Sequence, residues 1–302
     1  MSTHRVDTPG AAARAARARD LMTGASPGAE LLGFYAALVE YQQGLVARGR
    51  LELGDAISDR PILDAVDAAW VGAAVRDLLH WLVRPTPDTA DGRVRLKPDV
   101  TYAPPALRAS ADAMRDVAEE EWRALFDAYR ADPDDAAARF SEAAVFALEA
   151  VLQPVAERLA AARQDAFAGG VGLQPDHGSG GHTHPRCPVC GGAPVVGVLR
   201  EEGHGARRRL VCGLCLTEWD YLRLVCVKCG EQRFDALPVF TPEQFPHARI
   251  DACDTCRSYL KTIDATKDGR VVPVVDDLAT IALDLWAREH GYTRVRANLV
   301  RI

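Results

Sequence analysis

The first 186 residues of this 302-residue chain contain no cysteine, although the whole chain holds 8. That absence excludes a disulfide framework for more than half of the molecule. Nowhere does the sequence approach the roughly 18–20 uninterrupted apolar residues of a membrane helix. The opening stretch, MSTHRVDTPGAAARAARARDLM, lacks the apolar core of a secretory signal. Its Arg/Ala composition is that of a transit peptide or of a basic helix start, and Asp7 and Asp20 interrupt it. Lys and Arg total 36 against 42 Asp and Glu, a net charge of −6, so the molecule as a whole is no phosphate-binding surface. Also missing are G-x-x-x-x-G-K-[ST], G-x-G-x-x-G after a strand, G-x-S-x-G and H-E-x-x-H. His80 falls in an apolar helical run, and His204 and His247 have no evident triad partners. Together these absences predict a soluble, cytoplasmic protein that is not an enzyme, has no small-molecule substrate and does not span a membrane.

What is present begins with apolar periodicity. At 48% hydrophobic, the chain can bury a sizeable core, and its length predicts two domains at about 150 residues each. Residues 1–168 read as an all-α helical domain. One helix follows the Ser26-Pro27 cap and stops at Gly49, with Leu31, Leu32, Phe34, Tyr35, Leu38 and Val39 on its face. A second starts near Pro61 and stops at the Pro85/Pro87 cluster. A third follows Pro104-Pro105 and carries Trp122, Leu125, Phe126 and Tyr129. A fourth starts near Asp134 and is expected to kink or restart at Pro154. Residues 169–185 form a Gly-rich linker bearing His177, His182 and His184, either a solvated joint or a source of an extra metal ligand. Beyond it, 195–199, 209–211 and 221–225 read as short strands, and 266–302 as a C-terminal helix and tail. Asp276 or Asp277 is expected to cap that helix and Gly291 to stop it. The fold class is α+β.

All eight cysteines lie in four C-x-x-C pairs: Cys187/Cys190, Cys212/Cys215, Cys226/Cys229 and Cys253/Cys256, separated by 21, 10 and 23 residues. A C-x-x-C turn sets two thiolates on one side of a tight knuckle, and two knuckles joined by a hairpin complete a tetrahedral four-cysteine site. The pattern repeats internally. A shift of 39 residues carries the first pair onto the third, each followed by glycine (Gly191, Gly230), and a shift of 41 carries the second onto the fourth. Residues 186–225 and 226–265 are therefore expected to be two tandem rubredoxin-like or zinc-ribbon-like units, each holding iron or zinc. A ribbon also invites a nucleic-acid reading, for which Arg207-Arg208-Arg209 is the best local argument. Residues 185–262 nonetheless hold 11 basic and 9 acidic side chains, a net of only +2. The arginines fit a hairpin tip or a contact with an acidic protein surface better. A dithiol redox protein is the third reading.

The order of motifs adds a resemblance. Cys187-Pro-Val-Cys190-Gly191, Leu210 to Trp219, Cys226-Val-Lys-Cys229, Cys253 to Lys261 (with Tyr259-Leu260-Lys261) and Val275-Asp276-Asp277-Leu278-Ala279 together resemble the bacterial formate dehydrogenase accessory protein FdhE family. The resemblance covers residues 186–290, and the linker histidines are no part of it. It implies a cytoplasmic, non-catalytic assembly factor needed for active respiratory formate dehydrogenase. Such a factor engages the molybdenum- or tungsten-containing catalytic subunit before export, through tandem rubredoxin-like units associated with iron. It further implies the eight cysteines as ligands. Trp219, Tyr259, Asp276 and Asp277 fall in its motifs as candidate partner-binding residues, with ribbon core and helix cap as their plainer roles. The number of chains that assemble, a homodimer included, stays open.

Overall fold

The computed structural model of the chain describes residues 9–22, 28–48, 61–84, 103–168 and 185–301. The Ser26-Pro27 cap, the Gly49 stop, the Pro85/Pro87 turn and the linker histidines His177, His182 and His184 lie outside the described residues.

The N-terminal part is helical: α1 (Ala11–Leu21), α2 (Ala29–Arg48), α3 (Ala68–Leu82), α4 (Pro105–Ala113), α5 (Glu119–Ala131), α6 (Pro133–Arg139) and α7 (Glu142–Ala168). Two of the segments read from periodicity are each divided, and local capping explains both divisions. Chain reversal at Met114 ends α4 with tight backbone bonds to Ser110 and Ala111, and Glu119, Glu120 and Glu121 then favour a new helix N-terminus. Asp132 accepts the amides of Asp134 and Asp135 ahead of Pro133, which starts α6, and Ser141 Oγ accepts the Ala144 amide at the start of α7.

Helix α7 is the spine on which α2, α3, α4 and α6 pack. It does not restart at Pro154; the helix runs through it. Proline lacks the N–H that would bond the carbonyl four residues earlier. That carbonyl, on Ala150, accepts instead from the side-chain amide of Gln42 in α2 at 2.8 Å. A buried glutamine thus repairs the defect and ties two helices together. Phe34 packs between Trp81 and Phe146, its ring centroid 6.3 Å from each.

The C-terminal part is one mixed sheet. Its strands are β1 (Pro194–Glu202), β2 (Gly205–Cys212), β3 (Glu218–Asp220), β4 (Val239–Phe240), β5 (Ala248–Cys253), β6 (Ser258–Asp264) and β7 (Thr293–Arg294). The order is β3-β2-β1-β6-β5-β4, with β7 also on β6. Each cysteine unit supplies three antiparallel strands, and the two triplets meet where β1 and β6 pair in parallel. Residues 221–225 are not a strand. The carbonyls of Leu222 and Val225 accept from the Arg208 guanidinium at 3.2 and 3.3 Å, so a side chain occupies groups that a sheet neighbour would need.

Two helices close the fold, α8 (Pro273–Ala279) and α9 (Ile281–Glu289), parted at Thr280. The first begins at Pro273, ahead of Asp276 and Asp277, so neither aspartate stands in front of it as expected. Asp276 nonetheless reaches back to the Val272 amide at 2.7 Å and also pairs with Arg17 of α1 at 2.5 Å. Gly291, at φ +76°, ends α9 as expected. Beneath α8 and α9 lies a buried charge cluster. Lys261 and Arg294 each pair with both Asp277 and Asp284, at 2.5 to 3.1 Å, and Tyr259 donates to Asp284 at 2.7 Å. Two cations balance two carboxylates, the condition under which buried charge is tolerated.

Two substitutions test this framework. Gln42→Leu orphans the Ala150 carbonyl and should lower stability by about 1–3 kcal/mol in urea unfolding. Asp276→Ala removes the nearer carboxylate of Arg17, leaving Asp268 at 3.6 Å, and also orphans the Val272 amide, so it should likewise cost about 1–3 kcal/mol. An unchanged unfolding midpoint in either variant contradicts the corresponding role.

Candidate metal centres

The eight cysteines converge as two separate clusters, Cys187/Cys190/Cys212/Cys215 and Cys226/Cys229/Cys253/Cys256, with the sulfurs of each lying within 4.8 Å of one another. The pairing is that expected from the repeat: first knuckle with second, third with fourth. In the first cluster Cys187–Cys215 and Cys190–Cys212 are 3.6 and 3.3 Å apart; in the second, Cys226–Cys256 and Cys229–Cys253 are both 3.7 Å apart. Four sulfurs about 2.3 Å from a central ion form a tetrahedron with edges of about 3.8 Å. The donor set therefore fits a tetrahedral metal ion, and four protein sulfurs close its coordination shell against water.

The repeat extends to the backbone. In the leading knuckles, the Gly191 and Gly230 amides donate to the Cys187 and Cys226 carbonyls at 2.9 and 3.0 Å. The Cys187 and Cys226 amides in turn donate to the carbonyls of Gly192 and Glu231 at 2.9 and 2.8 Å. Both turns need the left-handed φ of glycine, +74° and +76°. In the trailing knuckles, Cys212 and Cys253 end β2 and β5, and the chain leaves through left-handed Leu216 and Arg257. The strand ends aim one thiol pair, and the loop knuckle brings the other to meet it.

The surroundings of the two clusters differ. In the first, Cys187, Cys212 and Cys215 are buried and share a core with the helical bundle. Helix α7 reaches over it: Arg163 donates to the Val189 carbonyl and Gln153 to that of Gly213. Arg296 crosses Gly213 so closely that a side chain there would collide with its guanidinium, and it pairs with Glu149 of α7 at 2.7 Å. In the second cluster Cys229 is exposed and Cys256 half-buried. Its outer support is Glu231, which accepts from Thr255 Oγ1 at 2.6 Å and so bridges the two knuckles. That bond and the amide and side chain of Arg233 hold the Glu231 carboxyl down at about 2.

Thiols this close ionise as a group. Burial opposes ionisation of Cys212, yet hydrogen bonds from its three partner thiols and the Leu214 amide pull it well below the ordinary thiol value. Burial likewise pushes the Cys226 thiol up to about 12, whereas hydrogen bonds from Ser258 and neighbouring thiols overcome burial and bring Cys256 to about 7. Each cluster thus favours one thiolate, the form that a metal takes up.

The other residues singled out in the sequence lie inside. Trp219, Tyr259, Asp276 and Asp277 are 7, 2, 0 and 1% exposed, so in this structure they serve packing and the buried ion pairs rather than a surface. The arginine run is not a hairpin tip, which is Gly203-His204; it lies along β2. Arg208 is buried against Asp251 of the second unit at 3.3 Å, Arg207 pairs with Glu202 and Asp220, and Arg209 with Asp220 at 3.1 Å. Carboxylates of this chain already occupy the three guanidiniums. Sequence reading missed Arg296, Glu149, Glu231 and Thr255. The last two stand beside cysteine knuckles, where outer-shell polar groups recur; no local pattern marks Arg296 or Glu149, which stand 147 residues apart in the chain.

The family model for the FdhE central domain matches residues 186–223, and that for the FdhE C-terminal domain matches residues 224–300. An FdhE homolog from Aquifex aeolicus is 43% identical over 116 residues, 38% of this chain and 41% of that protein. One from Pseudomonas aeruginosa is 35% identical over 119 residues, 38% of each chain. The matched region thus spans about two fifths of these relatives. The crystal structure of the FdhE protein from Pseudomonas aeruginosa superimposes over 99% of this chain and 97% of that one, with a TM-score of 0.68 and 25% identity. That agreement takes in the helical half, where the sequence carries no sharp motif.

The unequal burial predicts unequal lability. A competing chelator added to metal-loaded protein should remove one ion per chain at least ~10-fold faster than the other. Thiol labelling should then find Cys226, Cys229, Cys253 and Cys256 modified first. Simultaneous loss, or earlier labelling of the first cluster, contradicts the asymmetry.

Proposed function

We propose that this chain, which belongs to the FdhE family through its central and C-terminal domains, is a non-catalytic accessory factor for respiratory formate dehydrogenase. It acts in the cytoplasm, binding the catalytic subunit before export and assisting its maturation. The observation that carries this reading is the pair of four-cysteine clusters set in FdhE-type domains. Support also comes from the closed sulfur shell: a four-thiolate site offers no open position for hydrolytic chemistry, which suits structural or electron-transfer ions. Iron in rubredoxin-type sites is the metal this reading favours, with zinc as the alternative; either would be held by the same eight sulfurs. When bound, iron would supply one-electron exchange and zinc a rigid cross-link.

No helix among the described residues is long and apolar enough to cross a membrane. A ribbon that binds nucleic acid would need unpaired cations along one face, and the arginine run of β2 is committed internally.

Deletion of the gene in a formate-respiring host tests the reading. Formate dehydrogenase activity should fall at least roughly 10-fold, the size expected if most of the enzyme fails to mature. The native gene should restore it, and a Cys187→Ser/Cys226→Ser form should not. Full activity in the deletion strain contradicts the proposal.

A further inference from the structure

A groove of ≈ 330 Å³ opens beside the second cysteine cluster. It lies on the sheet face turned away from α9. Side chains alternate along β5 and β6: Ile250 joins the cluster containing Leu283 and Ala287 of α9, Arg249, Asp251 and Leu260 line the groove, and Ala252 and Tyr259 belong to both. Its walls are mostly aliphatic, and two of them are open to water: Leu224 is 54% and Val239 51% exposed. Phe234, in the loop between them, is 77% exposed. Four of the six large exposed apolar side chains among the described residues fall between Leu222 and Val239, a concentration that marks an interaction site rather than scattered surface.

The charges around the groove are unbalanced. Arg208 and Arg249 share one carboxylate, Asp251, at 3.3 and 2.8 Å. Among the described residues, Arg223 at the groove's exposed edge bonds only the Ala206 carbonyl, and the exposed Lys228, next in the chain to the groove-lining Val227, has no carboxylate within ion-pair distance. Backbone amides of Lys228, Cys229, Glu231 and Ser258 serve the thiolates of the second cluster, so the rim cations are not committed to that task. The adjoining strand β4 ends the sheet, with no further strand paired to its outer side among the described residues. An edge of that kind accepts an extended chain through main-chain bonds.

We infer that this groove docks an extended segment of the partner polypeptide, with aliphatic side chains seated over Leu224 and Val239 and an acidic side chain against Arg223 and Lys228. The inference rests on the accessory-factor reading, which supplies the partner. A second copy of this chain is the poorer occupant: a two-fold contact would press the same excess of cations against itself. Because Cys226 and Cys253 line the groove, the docked chain lies beside the second cluster, whereas the first cluster stays sealed under α7.

The test uses the tagged full-length chain co-expressed with the formate dehydrogenase catalytic subunit, reading the amount of subunit captured, metal per chain and oligomeric state. Arg223→Glu/Leu224→Asp should reduce capture at least ~10-fold. Metal content should match that of the native chain. Leu285→Asp, an exposed position on α9, should capture as the native chain does. Arg223→Glu alone alters only an exposed rim charge and should still lose several-fold, so a folding defect in the double variant would not shelter the inference. Capture by the native chain and equally by both groove variants overturns the groove assignment and leaves the accessory reading standing. A native dimer that Arg223→Glu converts to a monomer overturns it in favour of self-association. No capture by the native chain overturns both.

Discussion

Each half of the sheet depends on bringing four thiols to within a metal ion's reach of one point. Strands of two to nine residues bury too little apolar surface to hold such units alone. The knuckles compensate by fixing geometry locally, with the same two backbone bonds in Gly191/Cys187 and Gly230/Cys226. The strand hairpins then deliver Cys212 and Cys253 to the opposite side of each site. Because β1 and β6 pair in parallel, the two sites are held in one continuous sheet rather than on separate beads. The four-sulfur convergence sets where the hairpins must end, and the rest of the sheet follows from it.

A second layer of constraint ties this sheet to the helices through buried charge. Arg17 to Asp276, Arg294 to Asp277 and Asp284, and Arg296 to Glu149 are all paired away from solvent. Such pairs stabilise little in net terms, because desolvation offsets most of their attraction, but each tolerates only one arrangement of its partners. The first cluster lies within this locked region, with Arg296 running from Glu149 across Gly213. The second lies at the open edge of the sheet, supported chiefly by the Glu231–Thr255 bond. One chemical unit, used twice, therefore has a sheltered copy and an accessible one.

Much of this was legible in the sequence, for specific reasons. Cysteine spacing is a local signal, and its offsets of 39 and 41 residues already point to two clusters and to their pairing. The glycine after each leading knuckle was readable because only a left-handed turn requires it. Helical periodicity found α2, α3, α5 and α7 and the start near Asp134, but ran through the stop at Met114 and the cap at Ser141, since apolar period does not register where backbone bonds end a helix or a side-chain oxygen restarts one. The possible restart at Pro154 could not be dismissed from the sequence because its remedy, Gln42, is 112 residues distant in the chain. Residues 221–225 read as a strand because hydrophobic alternation cannot reveal that Arg208 has taken the carbonyls. The unequal exposure of the two clusters was invisible for the same reason: it comes from long-range packing of α7, and the repeat itself is nearly even.

The central claim is that eight thiolates hold two ions in two closed sites. Native mass spectrometry of anaerobically purified full-length chain, combined with alkylation before and after denaturation, tests it most directly. The account predicts a mass equal to the chain plus two metal ions of iron or zinc, with all eight thiols protected from alkylation until chelator or denaturation releases the ions. A metal-free mass with eight reactive thiols, or a mass lowered by disulfide formation with no ion bound, would contradict it.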